Sequence, residues 1–141
     1  QHGLDFSGDQ LIVYDNGTRR HSSRVAMYTI DTSARVATFD WTWAGDGWFE
    51  TILGDADWLP DEHVLVNRAH SECLSSEPGV PNQIWEVDKG TGEIVWSLTL
   101  DDVWEASYRA ERVGSCTLWQ DAQYCETTQL RLAELADLLG T

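Results

Sequence analysis

The sequence is poor in basic residues: nine Lys and Arg face 24 Asp and Glu, which gives a net charge of −15. Such acidity repels phosphate backbones and anionic lipid, so nucleic acids and membrane surfaces are excluded as partners. Long apolar runs are also missing. None approaches the ~20 residues that a membrane helix needs, so we expect no membrane insertion. Met27 is the only methionine and the chain begins at Gln1. We therefore expect a processed product, an excised piece or an incomplete record of a longer protein.

Cysteines and cofactor motifs are scarce as well. The cysteines are Cys73, Cys116 and Cys125; they form no Cys-x-x-Cys pair, and we expect no metal site. A Walker-type loop and a dinucleotide glycine fingerprint are absent, so we expect no cofactor. Cys116 and Cys125 bracket a segment, residues 117–124, that could fold back as a hairpin. We predict a disulfide between them and therefore an oxidising compartment, with Cys73 left buried or free.

The residues that are abundant favour β-structure. Hydrophobic residues make up 42% of the chain and aromatic residues 11%, which is a globular composition. Short runs of Val, Ile, Thr and aromatics recur between Gly, Asp and Asn, a pattern typical of strands and turns. The predicted strands are residues 10–14, 24–30, 36–43, 63–67, 83–87 and 93–100. Only the tail predicts a helix, a short C-terminal one, because Thr127 or Thr128 can cap a leucine-rich run that ends at Gly140.

An internal repeat predicts the architecture. Residues 3–13 and 55–65 share the order strand, acid, aromatic, turn, strand at an offset of 52. Residues 27–31 match residues 84–88 at an offset of 57. A unit of about 50 residues with four antiparallel strands is typical of a β-propeller blade. The alternative is two hairpins that look alike by chance.

We therefore predict an all-β fold of two four-stranded antiparallel blades, followed by an exit segment that carries the C-terminal helix. The predicted limits are residues 1–52 and 53–113 for the blades and residues 114–141 for the exit segment. A closed propeller needs about four to eight blades, so two blades leave apolar faces uncovered. We expect these faces to pack against missing blades of a larger ring or to drive self-association.

One basic cluster, residues 19–24, stands out in the acidic chain. It contains Arg19, Arg20, His21 and Arg24. One interpretation is a solvated loop that lies opposite acidic neighbours. The other is a local anion site, for which arginine is suited because its planar fork matches tetrahedral oxyanions.

The first forty residues resemble the bacterial arylsulfate sulfotransferases. The resemblance is carried by the Gln-His step at residues 1–2, the strand and Asp-Asn-Gly turn at residues 11–17, and the strand Ser-Arg-Val-Ala-Met-Tyr-Thr-Ile-Asp at residues 23–31. Residues 107–113 resemble the exit of that family from its last blade. The resemblance implies the C-terminal portion of a six-bladed propeller. The chain departs from the family pattern at Gly3-Leu4, where a small hydroxyl residue is familiar.

The resemblance also implies a reaction. Members of the family are periplasmic or secreted and move a sulfuryl group from a phenolic sulfate ester to another phenol, without a nucleotide donor. By this resemblance His2 is the histidine that becomes transiently sulfated, since a neutral imidazole is a nucleophile near pH 7. Arg20, His21 and Arg24 become candidate substrate-binding residues.

Two functions remain open from the sequence. The family's other active-site residues lie on blades that this chain lacks, so we expect the isolated chain to be inactive and the phenolic sulfate donor and phenol acceptor to be partners of a larger enzyme. The alternative is a catalytically silent β-propeller that binds a ligand or another protein, because a fold does not fix a function.

Overall fold

The computed structural model describes residues 2–69, 80–100 and 107–114, and within them the chain is built from antiparallel β-strands. The strands are β1 (His2–Ser7), β2 (Gln10–Asp15), β3 (Arg24–Asp31), β4 (Val36–Trp43), β5 (Asp55–Leu59), β6 (His63–Asn67), β7 (Asn82–Asp88) and β8 (Ile94–Leu100). They form two four-stranded sheets, each an up-and-down meander, in the orders β1-β2-β3-β4 and β5-β6-β7-β8. The prediction of an all-β chain with two four-stranded antiparallel blades is confirmed.

Several predictions from the sequence concern residues outside the described ranges. These are the short C-terminal helix, the Cys116–Cys125 disulfide and the state of Cys73. The chain divides into two compact units, residues 1–111 and 112–141, and both sheets belong to the first. The predicted limits of 1–52, 53–113 and 114–141 stay a prediction.

The core forms where the two sheets face each other. Alternate residues of the strands β2, β3, β6 and β7 point into this layer, because successive side chains of a strand lie on opposite faces. The first sheet contributes Ile12, Tyr14, Val25, Met27 and Trp43, the second contributes Ala56, Val64, Val66, Trp85 and Val87, and Trp48 comes from the segment that connects them. Burying each large apolar side chain stabilises the fold by about 1.5–3 kcal/mol.

Tryptophans join the two sheets. The rings of Trp43, Trp48 and Trp85 pack together with centroids 5.3 to 5.6 Å apart. The indole nitrogens of Trp41 and Trp43 donate hydrogen bonds of 3.0 and 2.9 Å to backbone carbonyls at Lys89 and Gly92, which lie in the turn between β7 and β8. The first sheet is therefore attached to the second by polar bonds as well as by apolar packing.

The structure gives the repeat a more exact form. The turn between β3 and β4 matches the turn between β7 and β8 at the predicted offset of 57. In the first turn Asp31 accepts hydrogen bonds from the N–H groups of Ser33 and Ala34, and in the second Asp88 accepts one from the N–H group of Thr91. The core register differs, since Ile12 lies opposite Met27 whereas Val64 lies opposite Val87. These pairs give offsets of 64 − 12 = 52 and 87 − 27 = 60. The hairpin of β3 and β4 therefore extends 60 − 57 = 3 residues further than its counterpart.

Apolar side chains also lie on the surface of both sheets. Phe6 of β1 is 62% exposed and Trp96 of β8 is 49% exposed, and Leu4, Phe39 and Leu98 are exposed as well. Exposed apolar area becomes informative where it forms a large patch, which marks an interaction surface. Packing against further blades, or self-association, stays a prediction. In the described part of the chain, no helix has the length and apolar character needed to cross a membrane.

Candidate active site

His2 begins β1, a strand of the first sheet that packs against β5 of the second sheet, and a β-bulge follows it. His2 pairs with Tyr14 and Leu4 pairs with Val13, so Gly3 is the extra residue of the bulge. Gly3 has a φ of +53°, and a Cβ atom placed on it would come within 2.7 Å of the Cα atom of Asp55 in β5. The left-handed backbone and the close approach of β5 both require glycine here.

Asn16 holds the ring of His2. The Nδ1 atom of His2 lies 2.8 Å from Oδ1 of Asn16. The Nδ2 atom of Asn16 donates to the backbone carbonyls of Glu50, at 3.1 Å, and Leu53, at 2.8 Å. The sequence suggested only a turn at this residue. Its partners in the chain are 34 and 37 residues away, so no local signal in the sequence marks this role.

Two arginines of the basic cluster contact the same carboxylate. Arg20 and Arg24 both contact Oδ2 of Asp15, at 2.9 and 3.0 Å. Burial opposes ionisation of Asp15, yet the hydrogen bonds from the two arginines outweigh it and lower its pKa. The ring of His21 packs edge-on against Phe49, with centroids 5.2 Å apart. These contacts favour the interpretation of a loop opposite an acidic neighbour, and the role of Arg20, His21 and Arg24 in substrate binding stays a prediction.

A small cavity lies next to the bulge. Its volume is about 160 Å³, and it is lined by Gly3, Leu4, Gly54, Asp55, Tyr108 and Arg109. Leu4 and Tyr108 are 60% and 68% exposed, so an apolar and an aromatic surface face the solvent at its mouth. The sequence did not identify this cavity, because its residues come from three separate stretches of the chain.

Carboxylates surround Arg109 at this cavity. Its Nε atom lies 3.1 Å from Oδ2 of Asp55 and 3.2 Å from Oε1 of Glu111, and its Nη2 atom lies 4.0 Å from Oδ1 of Asp57. The pKa of Asp57 is raised to about 6, first by burial and then by the carboxylates of Asp55 and Asp5, and Arg109 opposes this rise only in part. Burial also raises the pKa of Asp55. Among the residues described, no group of three His, Cys, Asp or Glu side chains is arranged to hold a metal ion.

We expect Asp57→Asn to stabilise the protein at pH 8 and to have almost no effect at pH 3, below the unfolded pKa of 3.8. Ionisation of Asp57 costs folding free energy because its pKa is raised from 3.8 to about 6 in the folded state. This loss of folding free energy is absent at pH values below the pKa of Asp57 in the unfolded chain. It is complete above the pKa of Asp57 in the folded protein, where it reaches up to about 3 kcal/mol. Urea unfolding followed by tryptophan fluorescence at both pH values measures the difference.

Asp15→Asn is the matched control, since it removes the same charge. The pKa of Asp15 is lowered, so its ionisation contributes stability above the unfolded pKa that is lost as the pH falls through the folded one. We expect this variant to destabilise the protein at pH 8 and to approach the parent at acid pH. If the two variants change stability in the same direction at pH 8, net charge and not the local environment sets the effect.

Comparison with known proteins identifies the family. No curated protein and no solved structure matches the chain. The family model described as arylsulfotransferase (ASST) matches residues 1–109, which contain both sheets, the bulge at Gly3 and the cavity. The chain belongs to the arylsulfotransferase (ASST) family.

Proposed function

We propose that this chain takes part in transferring a sulfuryl group from a phenolic sulfate ester to a phenol, and that His2 carries the group between them. The observation that supports this most directly is the family match over residues 1–109. The position of His2 supports it further. His2 is the first residue of β1, it is half-buried, and a bulge follows it. Bulges often redirect a side chain next to an active site.

The reaction needs a nucleophile that is also a good leaving group. A lone pair of the neutral imidazole forms a bond to sulfur while the bond from sulfur to the donor oxygen breaks, and that electron pair leaves with the phenolate. The acceptor phenolate then attacks the same sulfur, and the electrons of the S–N bond return to the ring. By analogy with phosphoryl transfer, charge spreads over three equatorial oxygens in each step, so hydrogen-bond donors from further blades are expected around it.

We assign the aryl ring of the substrate to the cavity beside Gly3. Its volume of about 160 Å³ is close to that of a cavity that takes up one benzene molecule. Tyr108 and Leu4 offer an aromatic and an apolar surface for the ring. Aromatic pairs of this kind add about 0.5–1.5 kcal/mol beyond the area that they bury.

The basic cluster has a more distant role in this proposal. Arg20, His21 and Arg24 follow β2 or begin β3, at the end of the sheet where β1 begins with His2. Because Asp15 already binds both guanidinium groups, we propose that the cluster attracts the anionic sulfate ester from solvent and does not hold it during transfer.

The chain is proposed to act within a larger ring. A closed propeller needs about four to eight blades, and this chain supplies two. We therefore propose that the isolated chain is inactive and that activity belongs to the polypeptide or assembly that completes the ring. The family match supports a periplasmic or secreted location.

The test is an assay with nitrophenyl sulfate as donor and a phenol as acceptor, run on the chain and on the longest polypeptide that contains it. We expect release of nitrophenolate that requires the acceptor and occurs only with the longer polypeptide. Equal release without the acceptor would show a sulfatase. If neither sample releases nitrophenolate, the alternative of a catalytically silent binding module is favoured.

A further inference from the structure

We propose that Asn16 is a positioning residue that fixes His2 in the tautomer with its proton on Nδ1, so that Nε2 carries the lone pair that attacks sulfur. The inference rests on the proposed role of His2. It adds which ring nitrogen reacts and which residue selects it.

The direction of the Asn16 amide follows from its other contacts. Nδ2 lies within hydrogen-bond distance of two carbonyl oxygens, those of Glu50 and Leu53, and both can only accept. If the amide were turned over, Oδ1 would face these two oxygens and two hydrogen bonds would be lost. The group directed at His2 is therefore Oδ1, which has no hydrogen.

The orientation of the amide then sets the proton on the ring. Oδ1 lies 2.8 Å from Nδ1 of His2, so Nδ1 must be the donor. In neutral imidazole one nitrogen carries the hydrogen and the other the lone pair, and the bond made by one nitrogen decides the state of the other. The lone pair is therefore on Nε2. Free histidine favours the tautomer with its hydrogen on Nε2, so the hydrogen on Nδ1 of His2 depends on the bond to Asn16.

Asn16 is itself held rigidly. It is 1% exposed, and its backbone carbonyl accepts a hydrogen bond of 3.1 Å from the hydroxyl of Ser23, whose side chain is fully buried. Both hydrogens of Nδ2 and the oxygen Oδ1 have partners. A positioning group that is already ordered adds no ordering cost when the reaction occurs.

The same bond assists the covalent step. When the Nε2 lone pair binds sulfur, the ring becomes cationic while Nδ1 keeps its hydrogen. The bond from Nδ1–H to Oδ1 is then charge-assisted and stronger than in the free enzyme. Asn16 thus stabilises the sulfated ring more than the neutral one, which is the condition for lowering the barrier.

The first test is a long-range ¹H–¹⁵N NMR spectrum of the unmodified protein, at a pH where its histidines are neutral. We expect His2 to show hydrogen on Nδ1 and a bare Nε2. A spectrum with hydrogen on Nε2 of His2 would overturn the proposal, and this measurement needs no variant.

Two variants separate the choice of tautomer from a structural role. Asn16→Asp and Asn16→Leu both lose the bonds to Glu50 and Leu53, but only Asn16→Asp keeps an oxygen acceptor for Nδ1. We expect Asn16→Asp to retain the hydrogen on Nδ1 and Asn16→Leu to show most of it on Nε2. In the transfer assay, kcat should fall about 100-fold or more in Asn16→Leu with a smaller change in KM. Asn16→Asp should recover part of that loss.

The outcomes distinguish this inference from the proposed function. Sulfation of His2 combined with equal loss in the two Asn16 variants would leave His2 as the nucleophile and reduce Asn16 to a structural residue. If His2 carries its hydrogen on Nδ1 but the protein never becomes sulfated, the proposed function is refuted, whereas the role of Asn16 in fixing the tautomer of His2 stands.

Discussion

Replacing His2 with asparagine is expected to abolish acceptor-dependent release of nitrophenolate in the polypeptide that completes the ring. Asparagine keeps a polar side chain at the start of β1 but offers no nucleophilic lone pair. Removing a covalent nucleophile costs several orders of magnitude in kcat, so we expect a loss of about 10³-fold or more. The measurement is the initial rate at saturating donor and acceptor, together with the intact mass of the protein after incubation with donor alone.

His63→Asn is the matched control for this prediction. His63 begins β6, and its Nδ1 atom lies 2.7 Å from Oε1 of Glu86, so its ring is held by a side-chain contact within the second sheet. We expect its variant to keep the rate within a few-fold and to gain the mass of one sulfuryl group. Equal rates in the His2 and His63 variants would remove His2 from the mechanism.

The largest effect on stability is expected from Gly54→Ala. Gly54 has a φ of +100°, and a Cβ atom placed on it would lie 2.2 Å from a ring carbon of Tyr14. Tyr14 cannot move aside, because it is fully buried and its hydroxyl accepts a hydrogen bond of 2.8 Å from the indole of Trp48. Backbone strain and overpacking together should cost about 3 kcal/mol or more, measured by urea unfolding.

Gly8→Ala separates these two costs. Gly8 also has a positive φ, +63°, but a Cβ atom there would meet no other atom within 4 Å. We expect a loss of only about 1 kcal/mol, the cost of the left-handed backbone alone. If the two variants lost equal stability, contact with Tyr14 would not be the reason for glycine at position 54.

Most of the strand pattern could be predicted from the sequence, because it depends on neighbouring residues. The strands predicted at residues 36–43 and 63–67 have the observed bounds. Those predicted at 10–14, 24–30 and 93–100 differ by one residue at one end, and the one predicted at 83–87 is one residue longer at each end. The turns at Asp31 and Asp88 are also local, since each aspartate binds backbone N–H groups two or three residues ahead. The register of Met27 and Val87 was not predictable from the turns, because it is set by packing across the sheet.

The candidate site was less accessible to sequence reasoning. His2 came from the resemblance to a family, and the requirement for glycine at Gly3 depends on the approach of β5 more than fifty residues later. Asn16 lies in an Asn-Gly pair that also fits an ordinary turn. Long-range geometry of this kind leaves no periodic pattern in the sequence, and only the fold reveals it.

The bonds of Asn16 have a consequence for the order in which the protein folds during synthesis. They join residues that are 14, 34 and 37 positions apart, and each of these contacts requires the intervening chain to be present and its loop to close. A nascent chain that has emerged only as far as β4 already contains His2 but lacks the carbonyl of Leu53 that orients Asn16. The Nδ1 atom of His2 therefore gains its oriented partner only after the chain has extended to the start of the second sheet. If His2 is the nucleophile, as we propose, its reactive state forms only once that part of the structure is present.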